Sequence, residues 1–383
     1  MATAGIVGAG PAGLFAANVL LSAGIDCEVL ERLDEESVRA RARAGLIEDR
    51  TARLLDAHGL AGGMLERGKT LGSCEFRRGG HSYVFDYGAL SGGLHWVYPQ
   101  QFLVGDLIDS FRSSGGHIRF ATPAESLALG DRPVIRAGDG TSVECDYILG
   151  CDGFHGVSRT AAHGAVSSEV DFGAEWLALL AEAPPSSEHQ IYGLHRDGFA
   201  GHMHRTPTTS RFYLQVSPGT DMETWDDEAI WSALDERLAA QGHVLVRGPI
   251  VERSLLELRS CVTQPMQVGP LYLAGDAAHI VTPAGGKGMN LALQDVAELT
   301  QGIIAVYRSG DRGRLDAYST IRLPEIWRAV EFSHWMLQVL LARGVGTAEA
   351  EVHEGLRSTR LARLVDGRAF AEDFAITYVG IDR

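Results

Sequence analysis

The chain has 383 residues, of which 34 are basic and 49 acidic, so its formal net charge at pH 7 is −15. With 45% hydrophobic and 22% charged residues, it has the composition of a folded globular protein. The negative charge argues against nucleic acid or an anionic membrane as a partner, because nothing offsets phosphate repulsion globally. No apolar run reaches the roughly 18 residues of a transmembrane helix.

Glycine is the most informative count, because 46 glycines are about 12% of the chain, against about 7% on average. They predict tight turns or places where the backbone approaches a ligand. The five cysteines are scattered without a CxxC pair, so we expect neither a disulfide scaffold nor a metal site. The N-terminus has no basic region before an apolar stretch, so we expect a cytoplasmic protein without a signal peptide.

The first elements along the chain are a short strand, a glycine-rich turn, a helix and a second strand that ends at Glu31. This order is typical of a dinucleotide-binding βαβ unit. Gly8 permits the tight turn, Gly10 lets the backbone reach a pyrophosphate, and Gly13 allows the helix to pack closely on the strand. Glu31 can accept hydrogen bonds from a ribose. The alternative is a glycine-rich turn without a ligand.

An arginine-rich helix is predicted over residues 38–45. Arg39, Arg41 and Arg43 alternate there and therefore cannot share one helix face. They belong either to a solvated helix or to an irregular segment that directs some of them toward a ligand.

Farther along, residues 73–97 are predicted to form a β meander, and residues 176–216 are rich in strands. Two buried strands end in acidic turns, at Asp152-Gly153 and at Gly275-Asp276, and we expect a helix to begin at the second turn. From Gly288 onward the pattern is helical.

These motifs resemble the three fingerprints of the FAD-dependent aromatic hydroxylases, which are class A flavoprotein monooxygenases. The segment CDGFHGVSR, residues 271–290 and the terminal Tyr378-Val-Gly resemble the 4-hydroxybenzoate 3-monooxygenase type. The resemblance implies an α/β fold, in which a Rossmann-like FAD-binding domain carries an inserted β-sheet substrate domain and a helical C-terminal region. The implied divisions are 1–72, 99–172 and 269–295 for FAD binding, 73–98 for the meander contributing to the substrate domain, 173–268 for the substrate sheet, and 296–383 for the helical interface region.

The same resemblance implies bound FAD, NADH or NADPH as co-substrate, O2, a small aromatic acid as substrate, and a homodimer. The reaction would proceed through a flavin C4a-hydroperoxide. The implied FAD contacts are Gly8, Gly10, Gly13, Glu31, Arg32, Arg41, Ala42, Arg43, Ala44, Gly45, Leu46, Gln100, Asp152, Asp276, Gly288 and Met289. The implied NAD(P)H contacts are Arg41, Arg43, His155, Arg159 and Arg259.

The resemblance also implies substrate contacts at Tyr192, Met203, His204, Arg205, Tyr213 and Pro283. Arg205 and Tyr213 would hold a carboxylate, and Tyr192 would hydrogen-bond the phenolic oxygen. Pro283 would present its carbonyl to the ring, and Tyr378 would be the second tyrosine of a proton relay. Tyr192, Tyr378 and Pro283 are thus the catalytic candidates. Without the resemblance, ordinary packing on a sheet would explain Tyr192 and Tyr213.

Three departures from the family pattern alter this pocket. Met203, beside His204, replaces a serine that supports the carboxylate-binding arginine, and methionine cannot donate that hydrogen bond. Leu71 stands where the relay histidine is expected. Thr282 and Ala284 change the run around Pro283. We therefore expect an amino-substituted 4-hydroxybenzoate, such as 3-amino-4-hydroxybenzoate, as substrate; the alternative is an ordinary 4-hydroxybenzoate 3-monooxygenase.

Residues 33–37 are acidic and offer few donors to a 2′-phosphate, so NADH should serve at least as well as NADPH. Two other functions compete with hydroxylation. A flavin halogenase is not supported, because the Trp-x-Trp-x-Ile-Pro signature of that class is absent. We therefore interpret Lys287 as a loop lysine near the flavin rather than as a halogen carrier. A catalytically silent flavin-binding redox sensor would not need the set Tyr192, Arg205, Tyr213 and Tyr378.

Overall fold

A computed structural model describes residues 2–43 and 45–381. The strands are β1 Ala2–Val7, β2 Cys27–Leu30, β3 Leu46–Ile47, β4 Lys69–Leu71, β5 Cys74–Arg78, β6 His81–Phe85, β7 His95–Val97, β8 Ile118–Arg119, β9 Ala124–Ala128, β10 Val134–Ala137, β11 Ser142–Gly150, β12 Val166–Ala181, β13 Gln190–His195, β14 Gly198–Thr206, β15 Thr209–Val216, β16 Ile250–Gln264, β17 Gln267–Val268, β18 Leu271–Leu273 and β19 His279–Ile280.

The α-helices are α1 Pro11–Ser22, α2 Glu35–Ala40, α3 Asp49–Ala57, α4 Gly62–Arg67, α5 Tyr87–Ser91, α6 Gln100–Ser113, α7 Val157–Ala161, α8 Asp227–Arg237, α9 Gly288–Ser309, α10 Gly313–Asp316, α11 Tyr318–Leu340, α12 Ala350–Asp366 and α13 Arg368–Val379. Within residues 2–43 and 45–381, no helix has both the length and the apolar character needed to cross a bilayer.

A mostly parallel sheet forms the first layer, in the order β17-β18-β11-β1-β2-β8, with β10 and β9 attached at β11. Strand β1 is central and pairs in parallel with β2 and β11. Helices α1 and α9 cover it with a continuous apolar core. Because the carboxyl ends of parallel strands meet at one edge, the loops after β1, β11 and β18 converge there. The Rossmann-like α/β fold is thereby confirmed.

A second sheet has the order β19-β16-β12-β15-β14-β13-β5-β6 and is antiparallel except where β13 runs parallel to β5. One face packs on α11 and α13, and the other packs on α8. The core with α11 and α13 contains Tyr192, Tyr213 and Tyr378.

Several local predictions were wrong. The arginine-rich segment leaves the helix early, because α2 ends at Ala40 and Arg41 is extended. The meander has only two strands in the substrate sheet, since β7 pairs with β3 and β4 instead. Asp276 lies in a single 3-10 turn rather than at the start of a helix, and the long helix begins at Gly288. Glycines at 285 and 286 with positive φ separate these elements.

A buried acid fixes the loop after β18. Asp295, fully buried on α9, accepts hydrogen bonds from the Gly275 backbone N–H at 3.1 Å and from Arg322 at 2.9 Å, and its Oδ2 lies 2.6 Å from His279 Nε2. Burial alone would raise the pKa of Asp295, but His279 and Arg322 hold it below its usual value. The turn that carries Asp276 is therefore tied to the helical layer.

Asp295→Asn should lower the free energy of unfolding by about 3–5 kcal/mol, because it leaves buried Arg322 without its anion. The stabilisation from Asp295 is present above its unfolded pKa of about 3.9 and is lost as pH falls through the lower folded pKa. Denaturant unfolding as a function of pH measures both effects. The surface variant Asp366→Asn is the control and should shift stability by less than about 0.5 kcal/mol; equal losses in the two variants would refute the account.

Candidate active site

The glycine-rich turn after β1 has the shape of a pyrophosphate cradle. A Cβ on Gly8 would lie 2.5 Å from the Cys151 carbonyl oxygen, and a Cβ on Gly13 would clash with the Gly8 carbonyl. At Gly10, by contrast, a Cβ would meet nothing within 4 Å. Gly8 and Gly13 therefore serve the packing of strand, helix and loop, while Gly10 faces open space at the N-terminus of α1, where anions are favoured.

Glu31 closes this turn from the end of β2. Its carboxylate accepts a hydrogen bond from the Ala9 N–H at 2.7 Å and from the Leu33 N–H at 3.0 Å. Beside it, loss of hydration and the positive charges of Arg43 and Arg32 lower the pKa of Arg41, while the charges of Glu31 and Asp276 oppose that effect. The predicted FAD residues in this segment thus form a basic cluster beside the cradle.

A second wall of the predicted FAD site is held by close backbone contacts. A Cβ on Gly45 would clash with the Tyr98 carbonyl, and the Tyr98 N–H donates to the Gly45 carbonyl at 2.8 Å. Asn290 Nδ2 donates to the Leu46 carbonyl at 3.0 Å, which fixes that strand against the start of α9. Ala44 lies outside the described residues.

The remaining predicted FAD residues lie at element ends. Gln100 begins α6, while Gly288 and Met289 begin α9, whose free N–H groups can support negative charge on a ligand. Asp152 accepts a hydrogen bond from the Ser158 N–H at 3.0 Å and so closes the loop onto α7; burial raises its pKa. Asp276 is exposed. The open cradle and these helix ends fit a dinucleotide such as FAD.

A pocket separates this region from the substrate sheet. Its lining residues are Gly45, Leu46, Val97, Trp176, Gln190, Tyr192, Phe199, Met203, His204, Arg205, Arg211, Tyr213, Pro283, Ala284, Gly285 and Gly286. Residues predicted to bind substrate thus share one pocket with residues predicted to lie beside the flavin.

At one end of the pocket, two buried tyrosines form a pair. The hydroxyl oxygens of Tyr192 on β13 and Tyr378 on α13 are 2.7 Å apart. Burial raises the pKa of both phenols. The structure therefore brings together the two residues predicted to share a proton, and both stay neutral at physiological pH.

The groups around Tyr378 differ from those expected of a relay. Leu71 is buried, and its carbonyl accepts a hydrogen bond from Tyr87 at 2.8 Å. A histidine does lie nearby, from a segment that the sequence analysis overlooked. His95 has its ring centroid 4.6 Å from that of Tyr378 and its Nε2 3.0 Å from the Tyr378 carbonyl oxygen. Burial and Lys287 lower the pKa of His95 to about 3, so it is a neutral donor that holds the Tyr378 backbone.

Two buried arginines lie at the other end of the pocket. Arg205 donates to the Arg43 carbonyl and to Gln101 Oε1, the latter at 2.9 Å. Burial and the charge of Arg211 lower the pKa of Arg205 to about 10, which leaves it protonated at neutral pH. Arg211 has two buried nitrogens, Nε and Nη1, without a partner. Sequence analysis missed Arg211, although it precedes Tyr213 by two residues and therefore shares its strand face.

His204 contributes less to the pocket than predicted. Its Nε2 lies 2.9 Å from the Ser187 carbonyl oxygen, and its Nδ1 lies 3.4 Å from Lys69 Nζ. Burial and Lys69 lower the pKa of His204 to about 4. Both ring nitrogens are thus engaged by protein groups, and His204 borders the pocket as a neutral ring.

The predicted NAD(P)H residues of two distant segments meet around Phe154, another residue that sequence analysis missed. The guanidinium carbons of Arg159 and Arg259 lie 4.0 Å and 4.3 Å from the centre of its ring, and His155 packs against its edge. Cation–π contacts of this kind orient the arginines. Arg41 and Arg43 lie instead on the segment beside the glycine-rich turn.

Comparison with known proteins agrees with this geometry. The family model described as "FAD binding domain" matches residues 1–333. The chain is 35% identical over 385 aligned residues to the p-hydroxybenzoate hydroxylase of Acinetobacter baylyi, covering 98% of this chain and 94% of that one. It is 28% identical to a 3-amino-4-hydroxybenzoate 2-monooxygenase of Streptomyces platensis, with 84% of each chain covered.

Among solved structures, the p-nitrophenol 4-monooxygenase of Pseudomonas putida superposes with a TM-score of 0.83 at 18% identity, covering 100% of this chain and 99% of that one. This likeness shows the fold alone. The family match and the 35% identity are sufficient to show that the chain belongs to the FAD-binding domain family. It is a flavoprotein monooxygenase of the aromatic hydroxylase class.

Gly10→Ala should weaken FAD binding by about tenfold or more while leaving the apoprotein as stable as before. Gly10 has φ −77°, which alanine adopts, and the added methyl group would occupy only the open cradle. Gly13→Ala is the matched variant and should lower apoprotein stability by about 1–3 kcal/mol, because its methyl group clashes with the Gly8 carbonyl. FAD titration and apoprotein unfolding measure the two effects. Unchanged FAD affinity in Gly10→Ala would contradict this placement.

Proposed function

We propose that the protein hydroxylates a 4-hydroxybenzoate that carries an amino group on its ring, such as 3-amino-4-hydroxybenzoate, using O2 and NADH or NADPH. The observation that carries this proposal is one pocket with a hydrogen-bonded tyrosine pair at one end and two buried arginines at the other. A ring with a hydroxyl and a carboxylate in para positions matches both ends. Bound FAD supplies the oxygen activation.

The arginine end would hold the carboxylate. Arg205 can bind it with two parallel N–H groups, the geometry that guanidinium groups favour. In the structure these groups face the Arg43 carbonyl and Gln101, so the substrate would replace those partners. The unpartnered nitrogens of Arg211 add positive charge nearby, and Tyr213 can donate a further hydrogen bond.

The tyrosine end would handle the phenolic proton. Tyr192 can accept it while passing its own proton to Tyr378, because their oxygens are already 2.7 Å apart. Tyr378 would release its hydroxyl proton to water in turn, so that the substrate is left as a phenolate and both tyrosines stay neutral. Removing this proton makes the ring electron-rich and ready for hydroxylation. The side chains at the tyrosine and arginine ends of the pocket are buried, which would limit the access of water to the ring.

The amino-substituted ring is favoured over plain 4-hydroxybenzoate by the altered pocket. Met203 removes a donor from the carboxylate end. A relative at 28% identity is named a 3-amino-4-hydroxybenzoate 2-monooxygenase. The second candidate is ordinary 4-hydroxybenzoate 3-monooxygenation, supported by the 35% identity to a p-hydroxybenzoate hydroxylase.

For the reduced nicotinamide, the Phe154 cluster with His155, Arg159 and Arg259 offers cations and an aromatic face, and Arg41 and Arg43 would add charge near the flavin. Glu35 and Glu36 begin α2, the helix that leads to Arg41 and Arg43, and their carboxylates would repel a 2′-phosphate that approached this segment. NADH should therefore give kcat/KM at least equal to that of NADPH. We expect a cytoplasmic homodimer.

A panel of substituted hydroxybenzoates tests the substrate. NADH oxidation and product formation should be fastest with 3-amino-4-hydroxybenzoate, and each turnover should add a hydroxyl group to the ring. Clear superiority of plain 4-hydroxybenzoate would support the second candidate. The absence of any aromatic-stimulated NAD(P)H oxidation would favour a silent flavin-binding sensor.

Tyr378→Phe should lower product formation by about 10²-fold or more, because Tyr192 loses the hydroxyl that relays its proton. The phenylalanine ring retains the packing against Phe332 and His95, so FAD content and substrate affinity should stay near wild type. Stopped-flow absorbance and product analysis measure these quantities.

The matched control is Tyr87→Phe. Its hydroxyl donates to the Leu71 carbonyl and makes no hydrogen bond to the tyrosine pair. This variant should hydroxylate substrate at nearly the wild-type rate. An equal loss of product in both variants would show that packing, not proton relay, explains the effect.

A further inference from the structure

One polar side chain in the substrate pocket has no protein partner. Gln190 begins β13, is 5% exposed and lines the pocket, yet its side-chain amide makes no hydrogen bond within residues 2–43 and 45–381. Neither atom of the amide is among the fully buried polar atoms that lack a partner, so the amide keeps some accessible surface where it lines the pocket. The unmet hydrogen-bonding capacity of Gln190 therefore points to a group that enters the pocket.

The strand pattern gives the direction of this amide. Gln190 precedes Tyr192 by two residues, and side chains two apart on a strand point to the same face. Both residues line the same pocket. The amide thus lies on the pocket side of the sheet, about 7 Å along the strand from the catalytic tyrosine.

The sheet register places Gln190 between the two ends of the pocket. Tyr192 pairs with Gly201 and Ile191 pairs with His202, so the next position of β14 beside Gln190 is Met203. Arg205 follows two residues later on the same strand. A ring that extends from Tyr192 to Arg205 therefore presents its edge, rather than its hydroxyl or its carboxylate, to Gln190.

The other side chains along this edge offer no free hydrogen-bond acceptor. Met203 and Phe199 are apolar, and His204 has both ring nitrogens engaged. Trp176 has an indole Nε1 without a partner, but that group can only donate and so cannot accept a hydrogen bond from an amine. Among the described side chains that line the pocket between the tyrosine and arginine ends, Gln190 is the uncommitted hydrogen-bond acceptor. Its carbonyl oxygen can accept a hydrogen bond from an aromatic amine.

We propose that Gln190 is a specificity-determining residue that hydrogen-bonds an amino group on the ring carbon next to the phenolic carbon. The proposal rests on the proposed function, since it requires a 4-hydroxybenzoate ring held between Tyr192 and Arg205. Gln190 does not take part in the oxygen or proton chemistry. It selects the substituted ring by leaving a buried amide unsatisfied when the unsubstituted ring is bound.

Equilibrium titration of the holoenzyme tests this role, with the flavin absorbance as readout and no NADH present. The ligands are 3-amino-4-hydroxybenzoate, 3-methyl-4-hydroxybenzoate as a match in shape, and plain 4-hydroxybenzoate. Wild type should bind the amino compound about tenfold or more tightly than the methyl compound. Gln190→Leu should abolish that preference and bind the methyl compound at least as well as wild type does.

Gln190→Met is a second apolar variant that retains the length of the side chain, and FAD content with thermal unfolding checks that both variants fold. An amino-to-methyl preference that is the same in wild type and in both variants would overturn the role of Gln190 but leave the proposed function standing. If wild type binds none of the three ligands, the proposed function fails and the role of Gln190 fails with it.

Discussion

The arrangement of the active site depends on the hydrogen bonds of a single buried ammonium group. Lys287, one of two lysines in the chain, is 4% exposed. Its Nζ donates to Glu48 Oε1 at 2.7 Å, to the Thr377 carbonyl at 2.5 Å and to the Tyr378 carbonyl at 2.9 Å. Burial lowers the pKa of Lys287, and the negative charge of Glu48 opposes that shift. Breaking such a buried pair typically costs about 3–5 kcal/mol, so the contact is strongly constrained.

This contact joins three segments that are distant in sequence: the end of β3, the start of α9 and the last helix. Gly380, at φ +67°, follows that helix, where any Cβ would overlap the Glu48 carboxylate. With its backbone held by Lys287 and His95, Tyr378 directs its hydroxyl to Tyr192 on the substrate sheet. The tyrosine pair is therefore placed by the same groups that hold the loops predicted to face the flavin.

Much of this architecture was predictable from the sequence. The βαβ unit, the strand ends at Asp152 and Asp276, and the helical C-terminus follow from local periodicity and turn chemistry. The C-terminal bound of α2 was not predictable, because the helix ends at Ala40 although the arginine-rich pattern continues. Beyond it the backbone carbonyls of Arg43 and Gly45 accept hydrogen bonds from Arg205 and Tyr98, which are distant in sequence. Strand β7 also has the local sequence pattern of a meander strand. Its partners are β3 and β4, and the local pattern of a strand does not determine which distant strands it pairs with.

The active site, too, could be predicted only in part from the sequence. The resemblance named Tyr192, Arg205, Tyr213 and Tyr378. The structure brings the first three to one pocket and places the Tyr378 hydroxyl 2.7 Å from that of Tyr192. The resemblance could not name Gln190, His95 or Arg211, because their importance comes from burial and from unmatched polar atoms. Two of them could have been predicted from strand geometry. Gln190 lies two positions before Tyr192, and Arg211 lies two positions before Tyr213, so each shares a strand face with a predicted site tyrosine.

The most direct test of the central claim is the mass of the aromatic product formed under ¹⁸O2 with the FAD-loaded enzyme, NADH and 3-amino-4-hydroxybenzoate. A flavoprotein aromatic hydroxylase should give a product that contains one ¹⁸O atom on the ring for each substrate molecule consumed. NADH oxidation that yields only peroxide, or a product without ¹⁸O, would contradict the account.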